Sequence, residues 1–224
     1  MADPQDELFD LCDRLGRPLG TSRPRALVHR DGDWHRSFHC WVVSTGSDGI
    51  PHLILQRRAP HKQTWPNLWD VSVGGHYTSG EDVEGGLREI HEELGIVVTR
   101  DELVQLGRRR EEVVYENGLI DREVQDVYLL WRAIALSDLR PDPDEVAAVA
   151  LVPARDLMAL ARGRVEVINV RAGSVRADRC LDPVELSLRL PDLVPASGNY
   201  QARIARLAVR YPERVTLNAG RRWL

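Results

Sequence analysis

Cysteine is scarce in this chain: three residues in 224, Cys12, Cys40 and Cys180, far apart and in no CxxC pair. That excludes a disulfide framework and a cysteine-based zinc site, and it fits free thiols buried in a reducing compartment. Long apolar runs are missing as well. No stretch approaches the ~18 consecutive apolar residues of a membrane span. Residues 1–10 carry four acidic side chains, Asp3, Asp6, Glu7 and Asp10, in place of the apolar core of a signal peptide, so a cytoplasmic protein is expected. An excess of positive charge is also absent. With 30 Lys and Arg against 34 Asp and Glu, the formal net charge is −4, and duplex nucleic acid is not the expected partner. No internal repeat or low-complexity tract stands out.

What remains is ordinary globular composition, 43% hydrophobic and 29% charged, long enough to bury a sizeable core. Residues 37–44 and 52–59 are rich in β-branched and aromatic side chains and read as strands around a 45–49 loop, with a third strand at 69–73. Asp82 as N-cap, Glu84 in the first turn and Gly95 at the C-terminal cap bracket a helix whose apolar stripe is Leu87, Ile90 and Leu94. Residues 104–115 and 123–135 predict two long strands joined at Asn117-Gly118. A strand at 145–152, a helix at 154–161, a strand at 165–170 and a helix around 199–209 follow. This order predicts an α/β fold, a mixed sheet with helices packed on its faces. It divides the chain into an N-terminal arm or hairpin (1–24), a central domain (25–162) and a C-terminal extension packed on it (163–224). The arm and the last helix offer surface for a homodimer.

The informative stretch is GGHYTSGEDVEGGLREIHEELGI, residues 74–96. Glu89, Glu92 and Glu93 stand at i, i+3 and i+4, so their carboxylates share one helical face. They repel one another and crowd the helix C-terminus, where the macrodipole disfavours anions. Gly85 and Gly86 each cost the helix roughly 1 kcal/mol relative to alanine. A solvated acidic face is the ordinary explanation of such residues, but it leaves the poor electrostatics and the glycine-rich entry without a reason. A bound divalent cation explains all three, because Mg2+ and Mn2+ take carboxylate, water and phosphate oxygens.

These residues resemble the Nudix box, G-x5-E-x7-R-E-U-x-E-E-x-G-U with U a bulky aliphatic. Gly75 and Glu81 supply its beginning, and Arg88-Glu89-Ile90-His91-Glu92-Glu93-Leu94-Gly95-Ile96 supplies the rest, with six residues instead of seven between Glu81 and Arg88. Residues 53–58, Lys62, Pro66 and Trp69-Asp70 are similar to the family's lead-in. Residues 144–153 are similar to its strand beyond the hairpin. The resemblance implies a Nudix-type α/β/α sandwich and a metal-dependent hydrolase that attacks a diphosphate linkage of a nucleoside-diphosphate-like small molecule with water. It implies that Glu89, Glu92 and Glu93 hold Mg2+ or Mn2+, and that Arg88 orients these carboxylates. Glu92, Glu93 or Glu145 would act as general base.

Arg57, Arg58 and Lys62 are candidate phosphate ligands, only one of the two arginines facing the site on an alternating strand. His76 is expected to line the pocket. Among Trp34, Trp41, Trp65 and Trp69, the pair Trp65 and Trp69 flanks Pro66 near the box and is better placed to take a base or apolar group. His29, His35, His39 and His76 match no compact ligand spacing, and zinc is not expected. Two rivals stand beside the hydrolase. A nucleotide-sensing Nudix-like module would tend to lose box glutamates, and all are kept here. An isopentenyl-diphosphate isomerase is similar around residues 35–38, but it needs a cysteine just before its histidine, where this chain reads Gly74-Gly75-His76.

Overall fold

A computed structural model describes residues 4–46 and 49–211. The 45–49 loop therefore lies partly, and residues 1–3 and 212–224 wholly, outside the described residues. The order of elements is β1 (Leu8–Cys12), β2 (Pro18–Pro24), α1 (Arg25–Asp31), β3 (Trp34–Thr45), β4 (Pro51–Arg58), β5 (Trp69–Asp70), β6 (Val73–His76), α2 (Val83–Leu94), β7 (Leu103–Val114), β8 (Ile120–Trp131), β9 (Val146–Pro153), α3 (Ala154–Ala161), β10 (Ile168–Val175), β11 (Leu181–Leu188) and α4 (Tyr200–Arg210). None of these helices is long and apolar enough to cross a membrane.

The long strand β3 organises the sheet. One edge pairs in parallel with β8 over Trp34–Val43; the other pairs antiparallel first with β6, Ser37 opposite His76, and then with β4, Val43 opposite Leu53. From β4 the sheet continues through β9, β10 and β11, while β7 extends it beyond β8. The mixed α/β architecture expected from the pattern is present, with helices on both faces.

The run Phe38–Val43 is apolar at every position but His39 because both of its faces are covered. Phe38, Cys40 and Val42 pack with Ile90 and Leu94 of α2 and with Ile54, Leu130 and Val149. Trp41 and Val43 point the other way, into a core with Leu157 of α3 and Ile204 and Ala208 of α4. Burying a side chain such as Ile90 or Leu94 contributes about 1.5–3 kcal/mol, which offsets the roughly 1 kcal/mol that each glycine costs α2. Gly86 also has a packing role. A Cβ there would stand 2.2 Å from Phe38 Cδ2, so the helix lies on the sheet at a distance only glycine permits.

Three readings of the pattern need correction. The strand expected at 69–73 is two strands. Trp69–Asp70 pairs with β4, the chain crosses at Val71-Ser72, and Val73–His76 pairs with β3. Ser72 Oγ anchors the crossing by accepting from Val42 N at 2.8 Å. The strand expected at 165–170 lies at Ile168–Val175, because the turn closing α3 consumes Gly163 and Arg164, whose N–H groups donate to Leu160 and Ala159. The helix α1 was not anticipated; it has seven residues between Pro24 and Gly32, too short for a periodic apolar stripe to show.

Candidate active site

A cavity of about 330 Å3 opens between α2, the β6 strand, the β7–β8 hairpin and the C-terminal segment. Of the residues singled out above, Arg58, Lys62, His76, Arg88, Glu89, Glu92, Glu93 and Glu145 line it. Arg57 does not. It is exposed, and its Nε donates to Asn67 O at 3.0 Å, as alternation on β4 requires. Trp69 is not on the cavity either. It is 5% exposed in the core beside Leu55 and Leu193, so its expected contact with substrate is withdrawn. Trp41 is likewise core, whereas Trp65 lines the cavity.

Helix α2 supplies the acidic side. Asp82 caps it by accepting from Glu84 N, and Gly95 closes it in the left-handed region. Glu93 is buried, and its Oε2 accepts from Gln56 Nε2 at 2.7 Å and from Gly74 N at 3.0 Å. Burial, with Glu89 and Glu145 nearby, pushes its carboxyl well above the usual range. Burial raises Glu89 to about 7, with Glu92, Glu145 and Glu7 adding to the shift and Arg88 opposing it. Arg88 spans the face, meeting Glu89 Oε1 at 3.1 Å, Glu92 Oε2 at 2.9 Å and Glu81 Oε2 at 3.4 Å. Glu92 is the outermost of the box glutamates, its side chain 45% exposed. Glu145 arrives from the loop before β9 and is held by Lys62 Nζ at 2.7 Å. Glu81 does not reach this cavity. It accepts from Thr78 N at 3.0 Å and lines a separate pocket with Asp10 and Tyr77.

Glu89 passes directly over Gly75. A Cβ on Gly75 would lie 2.5 Å from Glu89 Cδ, a distance no side chain tolerates. Gly75→Ala is therefore expected to swing Glu89 off the acidic face and lower turnover at least ~10-fold. The fold should survive, because the clash is relieved by a side chain at a cavity. Wild-type kinetics in the variant would refute this reading of Gly75.

The other side of the cavity was not legible as a site. His29 of α1, His35 of β3, His76 of β6 and Asp121 of β8 converge so that one ligand atom from each lies within 4.8 Å of all the others. Three of the four histidines, whose linear spacing matches no compact ligand set, are thus brought together by the fold; His39 stands apart beside Tyr200. His35 Nδ1 lies 3.1 Å from Asp33 O, which makes it the protonated nitrogen and turns the Nε2 lone pair inward. His29 Nδ1 and Nε2, His35 Nε2 and Asp121 Oδ1 are buried without a hydrogen-bond partner among the described residues. Burial holds His29 down to about 3 and His35 to about 4, the neighbouring imidazoles adding to both shifts, so both are neutral imidazoles at physiological pH. The Phe9 ring stacks on His35 and His76 at 5.3 and 4.8 Å and closes the cluster from the β1 side. Glu123 meets His76 Nε2 at 3.0 Å.

Linear spacing hid this cluster because its members come from four elements. One partial signal was available: Asp121, Glu123 and Gln125 alternate at period two about the start of the strand expected at 123–135, and the observed β8 places all three on one face. Both donor sets fit a divalent cation. The acidic set gathers one buried and two more exposed carboxylates at a cavity wall, and the imidazole set holds buried nitrogens without hydrogen-bond partners among the described residues.

Among known proteins, residues 33–170 match the family model described as NUDIX domain. A Nudix hydrolase of Clostridium acetobutylicum is 32% identical over 202 residues, covering 90% of this chain and 97% of that protein. A protein of Leifsonia xyli named isopentenyl-diphosphate Delta-isomerase is 33% identical over 202 residues, covering 89% of this chain and 97% of its own. A crystal structure from Deinococcus radiodurans is 25% identical with a TM-score of 0.49, covering 70% of this chain and 90% of that one.

Proposed function

The chain belongs to the Nudix family of pyrophosphohydrolases, and we propose that it cleaves a diphosphate linkage of a nucleoside-diphosphate derivative with divalent metal. The observation that carries this reading is the pair Glu89 and Glu93. Glu93, buried, and Glu89, half-buried, are both held towards protonation and face a cavity that Arg58 and Lys62 also line. A diphosphate needs such a set of cations and metal-holding oxygens.

In this reading Glu89 and Glu93, with Glu92 at the rim, hold Mg2+ or Mn2+. His29, His35, His76 and Asp121 hold a second divalent ion, and the imidazole-rich set selects a transition metal such as Mn2+ over Mg2+. Bound metal supplies charge neutralisation on the phosphates and a lowered pKa of water. The chain's own residues do the rest. Arg58 and Lys62 bind the phosphates, Arg88 orients the box carboxylates, and the Gly74 N–H fixes Glu93. Glu145, on the same cavity and 32% exposed at its side chain, takes the proton from water.

The test is hydrolysis across nucleoside triphosphates, dinucleotides, nucleotide sugars and coenzymes with Mg2+ or Mn2+, read as metal-dependent release of phosphate or nucleotide. Turnover of any member supports the reading. Nucleotide binding without turnover would favour a sensing module.

The isomerase is a second reading, supported by the resemblance around residues 35–38 and by the relative of that name. It is opposed by chemistry. No cysteine lines the cavity among the described residues, the β6 strand carries Gly74 and Gly75 before His76, and Cys40 is fully buried in the core opposite Val73. Isopentenyl diphosphate belongs in the panel for that reason.

A further inference from the structure

The cavity has a third wall that neither metal set uses. Strand β7 turns Arg109, Glu111 and Val113 towards it, and Tyr115 continues the alternation just beyond the strand end. Arg109 faces Gln125 across the hairpin, Glu111 faces Glu123 and Val113 faces Asp121, so this wall starts at the imidazole cluster and runs outward along the hairpin. At its outer end the indole of Trp65 packs on Tyr115, with ring centroids 5.3 Å apart and planes tilted by 55°.

Trp65 belongs to neither large core. Its φ is 49°, and Asn67 two residues on has φ 64°. A bulky side chain in that region is strained, and such strain persists only where surrounding contacts hold it. The contacts are present. Arg58 Nε donates to Thr64 O at 2.9 Å and Arg58 Nη2 to Thr64 Oγ1 at 3.1 Å. Asn67 N returns to Arg58 O at 3.2 Å. One braced loop therefore presents the cations for the phosphates, Arg58 and Lys62, together with an aromatic face beside them.

What lies around that face selects the ligand. Thr64, Asp70, Glu111, Gln125 and Arg109 share the cavity with Trp65 and Tyr115. A hydrocarbon chain would desolvate these polar and charged groups and return nothing. A planar heterocycle gains a stacking surface and keeps polar partners for its edge and its sugar. We infer that Trp65, propped by Tyr115, is the stacking face for the base of a nucleoside-diphosphate substrate and sets the specificity of the site. The inference rests on the hydrolase reading for its substrate class, but its test needs no turnover.

The test is calorimetric binding of ADP, UDP and CDP, and of inorganic pyrophosphate, to the full chain with Mn2+. Wild type is compared with Trp65→Ala and Trp65→Phe. Wild type should bind at least one of the nucleotides more tightly than pyrophosphate. Trp65→Ala should weaken that nucleotide by about 10- to 100-fold, the scale of one base stacked on an aromatic ring, and leave pyrophosphate affinity unchanged. Trp65→Phe should restore most of the loss, since a phenyl ring still stacks.

Equal weakening of nucleotide and pyrophosphate by Trp65→Ala would overturn the inference, because Trp65 would then only hold the phosphate loop. Unchanged nucleotide binding in Trp65→Ala would overturn it too, as would tighter wild-type binding of isopentenyl diphosphate than of every nucleotide. A protein that binds nucleotide through Trp65 yet hydrolyses nothing would retain this inference and lose the hydrolase. Turnover of a nucleotide indifferent to Trp65 would do the reverse.

Discussion

Glu93→Gln is expected to reduce metal-dependent turnover at least ~10²-fold, the scale on which removing a metal-holding carboxylate acts, while the folded protein becomes no less stable. Both halves follow from one position. Glu93 lies in the interior, with Gln56 Nε2 and Gly74 N donating to it, and burial and its acidic neighbours hold its carboxyl well above the usual range. The amide is isosteric and can still accept at one oxygen, but it cannot carry the charge a divalent ion needs. In metal-free buffer the sign of the pH effect is fixed by linkage. A carboxyl whose folded pKa is raised binds more protons folded than unfolded, so its stability contribution is lost as pH rises through and above the ordinary carboxylate range. Wild type with chelator should therefore melt progressively below Glu93→Gln as pH rises above the ordinary carboxylate range, the two converging at lower pH. Steady-state kinetics and thermal melts with EDTA decide it. Activity within a few-fold of wild type would remove Glu93 from the proposed chemistry, and parallel melting curves at every pH would show that its burial is not a cost.

The second large effect concerns the imidazole cluster. At a concentration 100-fold above its dissociation constant, Mn2+ adds about 2.7 kcal/mol of stability, which in a chain of this size raises the melting temperature by about 5–10 °C. Asp121→Asn should remove the part of that gain due to the cluster. Asp121 is half-buried, its Oδ1 set against His29 and His35 at 3.8 and 3.6 Å, and burial and Glu123 push its carboxyl up. The amide is therefore tolerated in the metal-free fold. Co2+ should behave as Mn2+ does, because imidazole favours later transition metals. The gain with Mg2+ should be the same in both proteins, since it reports the box glutamates. A full Mn2+ gain in Asp121→Asn would show that the four side chains are packed together without a metal-binding role.

The two sides of the site differ in how far they could be read beforehand. Glu89, Glu92 and Glu93 lie within five residues of one helix, and helical periodicity alone puts them on one face. Asp82, Gly95 and the Ile90–Leu94 stripe delimit that helix by the same local rules. The strands β3 and β4 announced themselves as apolar runs, and Asn117-Gly118 announced the hairpin. Even Arg57 and Arg58 were separable as a pair, because alternation turns only one of them inward. Which one it is depended on the pairing of β4 with β5 and β9.

Nothing local distinguishes His35 from His39 or Trp65 from Trp69. His35 faces the cluster because β6 pairs with β3 in the register that sets Ser37 opposite His76, and because the unanticipated α1 lays His29 over both. Trp69 became core and Trp65 cavity wall because the chain crosses from β4 to β3 at Val71-Ser72 and draws Trp69 under α4. The linear order thus established the family and the acidic helix face, both of which depend on neighbours within a few residues. Folding established the imidazole cluster, the withdrawal of Trp69 and Arg57, and the wall that Trp65 and the C-terminal segment complete. Those depend on strand register and on contacts between residues far apart in the chain, which periodicity within a single element does not encode.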